Sequence, residues 1–134
     1  MFNNTFNNKK FLITGASSGI GKELAIFLSK LGATLIITAR DKARLDKTFN
    51  LLNGKVHRQF SADISIPSEI SDLMNNVYSE YGQLDGLVHC AGVQHTIPVQ
   101  MISEESYDKL FNINTKSALF LSKAFRKKGR YNPN

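Results

Sequence analysis

The run Phe11-Leu-Ile-Thr-Gly-Ala-Ser-Ser-Gly-Ile-Gly21 leads an apolar, strand-forming stretch directly into glycines and serines. Their types and spacing suit one task, the binding of a phosphate group. Gly15 can take the backbone dihedrals of a tight turn, Gly19 lets the main chain approach a pyrophosphate, and Gly21 lets a following helix pack closely. Ile20, Leu24, Phe27, Leu28 and Leu31 recur at helical spacing and predict that helix. Its free N–H groups and positive dipole end point back at the turn. Thr14, Ser17, Ser18 and Ile20 complete the candidate nucleotide-binding segment, because a glycine pattern counts when it follows a strand and opens a helix.

A second group lies about 20 residues further on, where a dinucleotide-binding unit carries an acid for the ribose 2′-hydroxyl or an arginine for a 2′-phosphate. Here the strand ends Thr38-Ala39-Arg40, with no acid at the strand end itself. Arg40 offers planar donors to a phosphate, so NADP is favoured and NAD remains possible. Asp41 is an alternative partner, for Arg40 or for the ribose, and Arg40 could instead be a solvated residue ahead of a helix. Asp63, with Ile64 beside it, follows a third strand and is placed to meet an adenine; the alternative is a local turn with Ser65. In His89-Cys90-Ala91-Gly92, Gly92 permits close approach to a cofactor, and Cys90 and Ala91 flank that approach. His89 reads as a packed, hydrogen-bonded residue rather than a base, because it lies in an apolar strand with no carboxylate neighbour in sequence. Asn114 falls in the middle of an apolar stripe of Tyr107, Leu110, Phe111, Ala118, Leu121 and Phe125, where a buried amide needs partners.

The elements that must position these residues alternate between strand and helix. Apolar runs predict strands over 10–14, 34–39, 56–60 and 86–90. Pro67 suits the first turn of a helix whose apolar face is Ile70, Leu73, Met74, Val77, Tyr78 and Tyr81, ending near Gly82. Ser103 reads as the N-cap of a last helix over 103–125, with Glu104 and Glu105 in its first turn. Right-handed crossovers then predict an α/β, Rossmann-type, doubly wound parallel sheet in the order 3-2-1-4, with the first two helices on one face and the last two on the other. A nucleotide would lie across the carboxyl ends of strands 1 and 4, where the glycine turn meets the Ala91-Gly92 turn.

The spacing Thr14-Gly15-x-x-x-Gly19-x-Gly21, followed in order by Asp63, His89-Cys90-Ala91-Gly92 and Asn114, resembles the classical short-chain dehydrogenase/reductase family over nearly the whole chain. The resemblance implies hydride transfer between a nicotinamide cofactor and a small-molecule carbonyl or secondary alcohol, a 3-oxoacyl-type substrate being one example. It gives Asp63 the adenine amino group. It gives Asn114 a catalytic-site role, its main-chain carbonyl holding a water that connects to a catalytic lysine. His89 and Cys90 replace both asparagines of the family's Asn-Asn-Ala-Gly. The family's serine and its Tyr-x-x-x-Lys pair are absent from these residues: position +4 after Tyr78, Tyr81 and Tyr107 is Gly82, Asp85 and Phe111. Residues 1–134 therefore read as the N-terminal cofactor-binding part of one such domain, 1–9 forming a polar arm. The alternative is a non-catalytic nucleotide-binding module or pseudoenzyme. On the first reading the sheet is incomplete at strand 4, residues 131–134 begin the loop to a fifth strand, and the isolated chain is inactive. Ile113, Phe120 and Ala124 resemble the helix face through which family members form homo-oligomers, and an open strand edge also favours self-association.

Composition narrows the classes further. The 134 residues carry a net charge of +6, but Lys123, Arg126, Lys127, Lys128 and Arg130 gather at the end of the last helical pattern, where cations complement the helix dipole and Gly129 reads as a C-terminal cap. With no aromatic residues interleaved in a basic stripe, nucleic-acid binding is not expected. No apolar run is long enough to cross a membrane, and residues 1–10 lack the apolar core of a signal peptide. The single Cys90 excludes an intramolecular disulfide, no metal site is evident, and a cytoplasmic location fits.

Overall fold

The computed structural model describes residues 5–127 and 129–133. In chain order these form β1 (Lys10–Thr14), α1 (Gly19–Lys30), β2 (Thr34–Ala39), α2 (Lys42–Phe49), β3 (Arg58–Ser61), α3 (Pro67–Tyr81), β4 (Gly86–His89), α4 (Glu104–Phe111) and α5 (Ser117–Phe125). A π-helical turn, Asn112–Lys116, joins α4 to α5. All strand pairs are parallel and the sheet order is β3-β2-β1-β4, as the crossover rule predicts. Leu12 of β1 lies opposite Ile36 of β2 and Leu87 of β4. Leu12 and Ile36 pack towards Ile70, Met74 and Val77 of α3 and Leu121 of α5, whereas Ile13, Leu35 and Ile37 pack towards Ala25 and Leu28 of α1 and Leu45 of α2. Central strands covered on both faces have no polar side to show, which is why they read as unbroken apolar runs.

Several elements depart from the sequence reading. In α1 the buried positions are Gly21, Ala25, Leu28 and Ser29, while Ile20 is 80% and Phe27 57% exposed. The small residues, one turn apart, bring the helix close to the sheet; apolarity alone does not mark that face. β3 begins at Arg58, two residues later than expected, and Val56 is exposed. The buried ring of His57 explains the shift: Leu35 N–H donates to its Nδ1 at 3.1 Å, so a side chain takes the place of a ladder carbonyl. β4 closes at His89 rather than residue 90.

The last helix starts as expected, with Ser103 accepting from Ser106 N–H in a capping box. The π-helical turn then adds a residue to one turn and rotates everything beyond it relative to α4. A single stripe through the whole segment is therefore impossible. The buried positions are Ile113, Ser117 and Leu121, whereas Tyr107 and Phe111 are exposed and stack on each other at 4.3 Å. Asn114 is exposed, not buried. Of the row that resembles an oligomer-forming face, Ile113 is buried, and Phe120 and Ala124 pack, partly buried, on the core beside α3. The helix ends at Phe125 with Arg126 as C-cap, so Gly129, at φ +87°, belongs to the next turn and is not the cap. Lys123, Arg126 and Arg130 lie over the rings of Phe120, Tyr131 and Tyr78. Lys128 lies outside the described residues.

Described residues near both ends engage the rest of the fold. Residues 1–4 lie outside the described residues, but the arm is not merely polar: Phe6 packs edge-on to Phe11 at 5.5 Å and its N–H donates to Leu31 C=O. Tyr131 forms a parallel bridge with Leu84, framed by bonds from Leu84 N–H to Arg130 C=O at 3.0 Å and from Asn132 N–H to Leu84 C=O at 2.7 Å. The segment read as a loop thus makes a single parallel bridge just ahead of β4, whereas β4 itself pairs with β1 and is the edge strand of the sheet, as expected.

Asp85 ties these parts together. Its carboxylate accepts from Lys10 N–H at 2.8 Å, from Lys9 Nζ at 3.2 Å and from Asn132 Nδ2 at 3.2 Å. Burial alone would raise its pKa, but these bonds and the charge of Lys9 outweigh it and hold the carboxyl below its ordinary value. The stability it supplies is complete above the unfolded value, about 4, and is lost as the pH falls through the lower folded value. Asp85→Ala should therefore destabilise the chain by about 1–3 kcal/mol at neutral pH in urea titrations. The difference from the parent should shrink below about pH 4; a constant difference would reject the charge assignment.

Candidate nucleotide-binding site

A cleft of about 700 Å³ opens at the carboxyl ends of β1, β2 and β4, where Thr14, Ala39 and Cys90 line it. Of the residues picked out by sequence, Thr14, Gly15, Ser17, Ser18, Gly19, Ile20, Arg40, Asp63, Ile64, Cys90, Ala91 and Gly92 all line it. Gly21 and Asn114 do not. The three glycines of the turn have separate tasks. Gly15, at φ +66°, lies so near the β4 exit that a Cβ there would sit 2.5 Å from Ala91 N. A Cβ on Gly21 would sit 2.4 Å from the Gly15 carbonyl oxygen, so Gly21 packs the helix on the turn itself. Gly19, at φ +52°, is the opposite case, with nothing within 4 Å of an added Cβ. Its backbone faces open space.

The start of α1 keeps its donors. Ser18 is the N-cap, yet its side chain makes no cap hydrogen bond, whereas Asp41 caps α2 and Ser103 caps α4. First-turn N–H groups without an internal acceptor at a glycine-floored opening are the donor set a pyrophosphate requires. A dinucleotide phosphate therefore fits these residues.

At the β2 end, Asp41 accepts from Arg44 N–H at 2.9 Å, which commits its carboxylate to the helix cap. Among the described residues Arg40 joins no ion pair and is exposed. Arg44 also lines the cleft, a residue the sequence reading missed; the signal was its place in the first turn of α2, three residues beyond the cap. Asp63 makes the local turn: its Oδ1 accepts from Ser65 N–H at 2.9 Å and from Ser65 Oγ at 2.7 Å. Its own N–H donates to Glu69 at 2.6 Å.

His89 lies between Thr14 Oγ1, 2.8 Å from Nδ1, and Ser117 Oγ, 3.2 Å from Nε2. It is packed and hydrogen-bonded, and burial pushes its pKa down. Burial also pushes the Cys90 thiol up, away from thiolate chemistry. Asn114 sits in the π-helical turn and its amide pairs with both main-chain groups of one residue: Val93 N–H donates to its Oδ1 at 2.8 Å, and its Nδ2 donates to Val93 C=O at 2.8 Å. Val93 lines the cleft, so the amide fixes the loop that borders the site. No described helix is long and apolar enough to cross a membrane.

The same arrangement recurs in known proteins. Among curated relatives, galactitol 2-dehydrogenase of Agrobacterium fabrum is 36% identical over 118 residues, 88% of this chain and 46% of the relative. An uncharacterized oxidoreductase of Staphylococcus epidermidis is 32% identical over 116 residues, 87% of this chain and 50% of the relative. The chain spans about half the length of the curated relatives it matches. Among solved structures, a short-chain type dehydrogenase/reductase of Mycobacterium ulcerans superposes with a TM-score of 0.81 at 30% identity, covering 89% of this chain and 46% of that one. The citronellol catabolism dehydrogenase of Pseudomonas aeruginosa PAO1 gives 0.85 at 25% identity, covering 93% and 52%. The short chain dehydrogenase profile runs from residue 9 to residue 129, from the strand that feeds the glycine turn to the turn beyond α5, and with the sheet order and cleft in place it shows that the chain belongs to that family.

Proposed function

We propose that residues 1–134 are the N-terminal, nucleotide-binding part of an NADP-preferring oxidoreductase acting on a carbonyl or secondary alcohol. One observation carries the reading: the start of α1, Arg40 and Arg44 line one cleft, while Asp41, the acid next to Arg40, is engaged as a cap. When bound, the nicotinamide would supply the hydride. The chain's own residues grip the other end of the cofactor: the glycine turn receives the pyrophosphate, Arg40 and Arg44 the 2′-phosphate, and Asn114 steadies the Val93 loop. The serine and the Tyr-x-x-x-Lys pair that exchange the proton in the family are not among these residues, so the chain alone should bind NADPH and reduce no ketone. The reading includes self-association, supported by exposed Tyr107, Phe111 and Leu119 along the last helices. Arg40→Ala should weaken NADPH more than NADH, by about 1–3 kcal/mol for a lost charge-assisted phosphate contact. Equal losses for the two nucleotides in a calorimetric titration would reject the 2′-phosphate assignment.

A further inference from the structure

His89 stands where three parts of the site meet. Thr14, its register partner across β1 and β4, ends the strand that feeds the glycine turn. Ala91, whose N–H donates to Thr14 Oγ1 at 3.3 Å, is the residue against which Gly15 packs. Ser117 follows the π-helical turn that carries Asn114, and its hydroxyl donates to the Ile113 carbonyl.

Counting hydrogens fixes the direction of this chain. A hydroxyl has a single hydrogen, and that of Ser117 is already on Ile113, so Ser117 Oγ must accept from His89 Nε2–H. Nδ1 is then the acceptor and Thr14 O–H its donor, which leaves the Thr14 oxygen to receive Ala91 N–H. Every donor, from Ala91 through Thr14, His89 and Ser117, is satisfied in one direction. A second proton, on Nδ1, would face Thr14 donor to donor. Thr14 is fully buried, so its hydroxyl hydrogen would then lose its acceptor. The polar groups that meet the ring are Thr14 Oγ1 from β1 and Ser117 Oγ from α5. Neither titrates, and with burial the only influence on the ring's pKa, no neighbouring charge offsets an imidazolium.

We propose that His89, with its hydrogen on Nε2, is a positioning residue that locks the glycine turn, the β4 exit loop and the π-helical turn in the orientation that binds nucleotide, and that a proton on Nδ1 releases the lock. The binding part of this inference rests on the nucleotide reading above; the lock does not. The ring would then make affinity pH-dependent through geometry, without touching the ligand.

Long-range ¹H–¹⁵N NMR of the 134-residue chain at pH 7.5 should show the Nε2–H tautomer, and the Nδ1–H tautomer or an imidazolium would overturn the lock. NADPH titrations from pH 8 to pH 5 on the parent and on His89→Asn separate the two parts, because the titration of the ligand's own phosphate is common to both proteins. Below the folded pKa of the ring the parent should lose affinity by up to about tenfold per pH unit relative to His89→Asn. Parallel profiles would overturn the positioning role. If neither protein binds NADPH the nucleotide reading fails, and urea stability still tests the lock. The unfolded ring takes its proton near pH 6.5, about its ordinary value, and the folded ring only at lower pH. The parent should therefore lose more stability than His89→Asn between pH 7 and pH 5, and equal losses would refute the lock. Should His89→Asn not fold, Ser117→Ala removes the acceptor for Nε2–H; its tautomer balance should move towards Nδ1–H, and an unchanged balance counts against the lock.

Discussion

Gly15→Ala is expected to destabilise the chain by about 3–5 kcal/mol, with loss or a large shift of the cooperative urea transition. The new methyl would stand 2.5 Å from Ala91 N, 2.6 Å from Ala91 Cα and 2.7 Å from Cys90 C. These are backbone atoms just beyond the end of β4, tied to β1 by Ala91 N–H on Thr14 Oγ1, and cannot rotate away as a side chain would. Overpacking of this kind typically costs about 1–3 kcal/mol, more against fixed atoms. Gly15 also sits at φ +66°, where an L-residue adds about 1–2 kcal/mol. Gly19→Ala is the control, because it carries the positive φ without the collision. If the two variants unfold at urea concentrations equivalent to within about 1 kcal/mol, contact between the turn and the β4 exit is not what requires glycine at 15.

The same contrast shows how far the sequence could be read. Strand order, helix placement and the cleft followed from the alternation of apolar runs, the glycine spacing and the hand of the crossovers, because each is a local or topological constraint. Some of what escaped depended on a partner far away in sequence, and some on local geometry that apolarity does not report. The late start of β3 is set by His57 meeting Leu35, 22 residues apart. Asn114 looked buried because a 3.6-residue period was carried through α4 and α5, and only the i to i+5 turn between them breaks the phase. Ile20 and Phe27 looked like core because apolarity was counted, whereas the close face of α1 is chosen by the smallness of Gly21, Ala25 and Ser29. The site was legible as a set of residues but not as a set of bonds. Asp41 was ambiguous until its carboxylate was found on Arg44 N–H, and Arg44 entered the cleft by virtue of that same cap. The Leu84 to Tyr131 bridge could not be foreseen from a four-residue polar end.

Gly19→Val should remove nucleotide binding while leaving the fold standing. No atom lies within 4 Å of a Cβ at this position, so nothing in the chain is displaced. The folded state bears only the strain of a β-branched residue at φ +52°, about 1–2 kcal/mol, and keeps its circular dichroism and a cooperative transition. The open space is nevertheless the approach to the first-turn N–H groups of α1, which Ser18 leaves uncapped. An isopropyl group there separates those donors from any phosphate. Losing several charge-assisted bonds of about 1.5–3 kcal/mol each should weaken NADPH by more than about 100-fold, beyond calorimetric detection for a modest binder. Gly19→Ala should fall between Val and the parent, since one methyl narrows the approach without closing it. Because the obstruction lies at the pyrophosphate, Gly19→Val should affect NADH and NADPH alike, whereas Arg40→Ala separates them. An unchanged NADPH affinity in Gly19→Val, with the fold intact, would place the phosphates elsewhere and remove the glycine turn from the site.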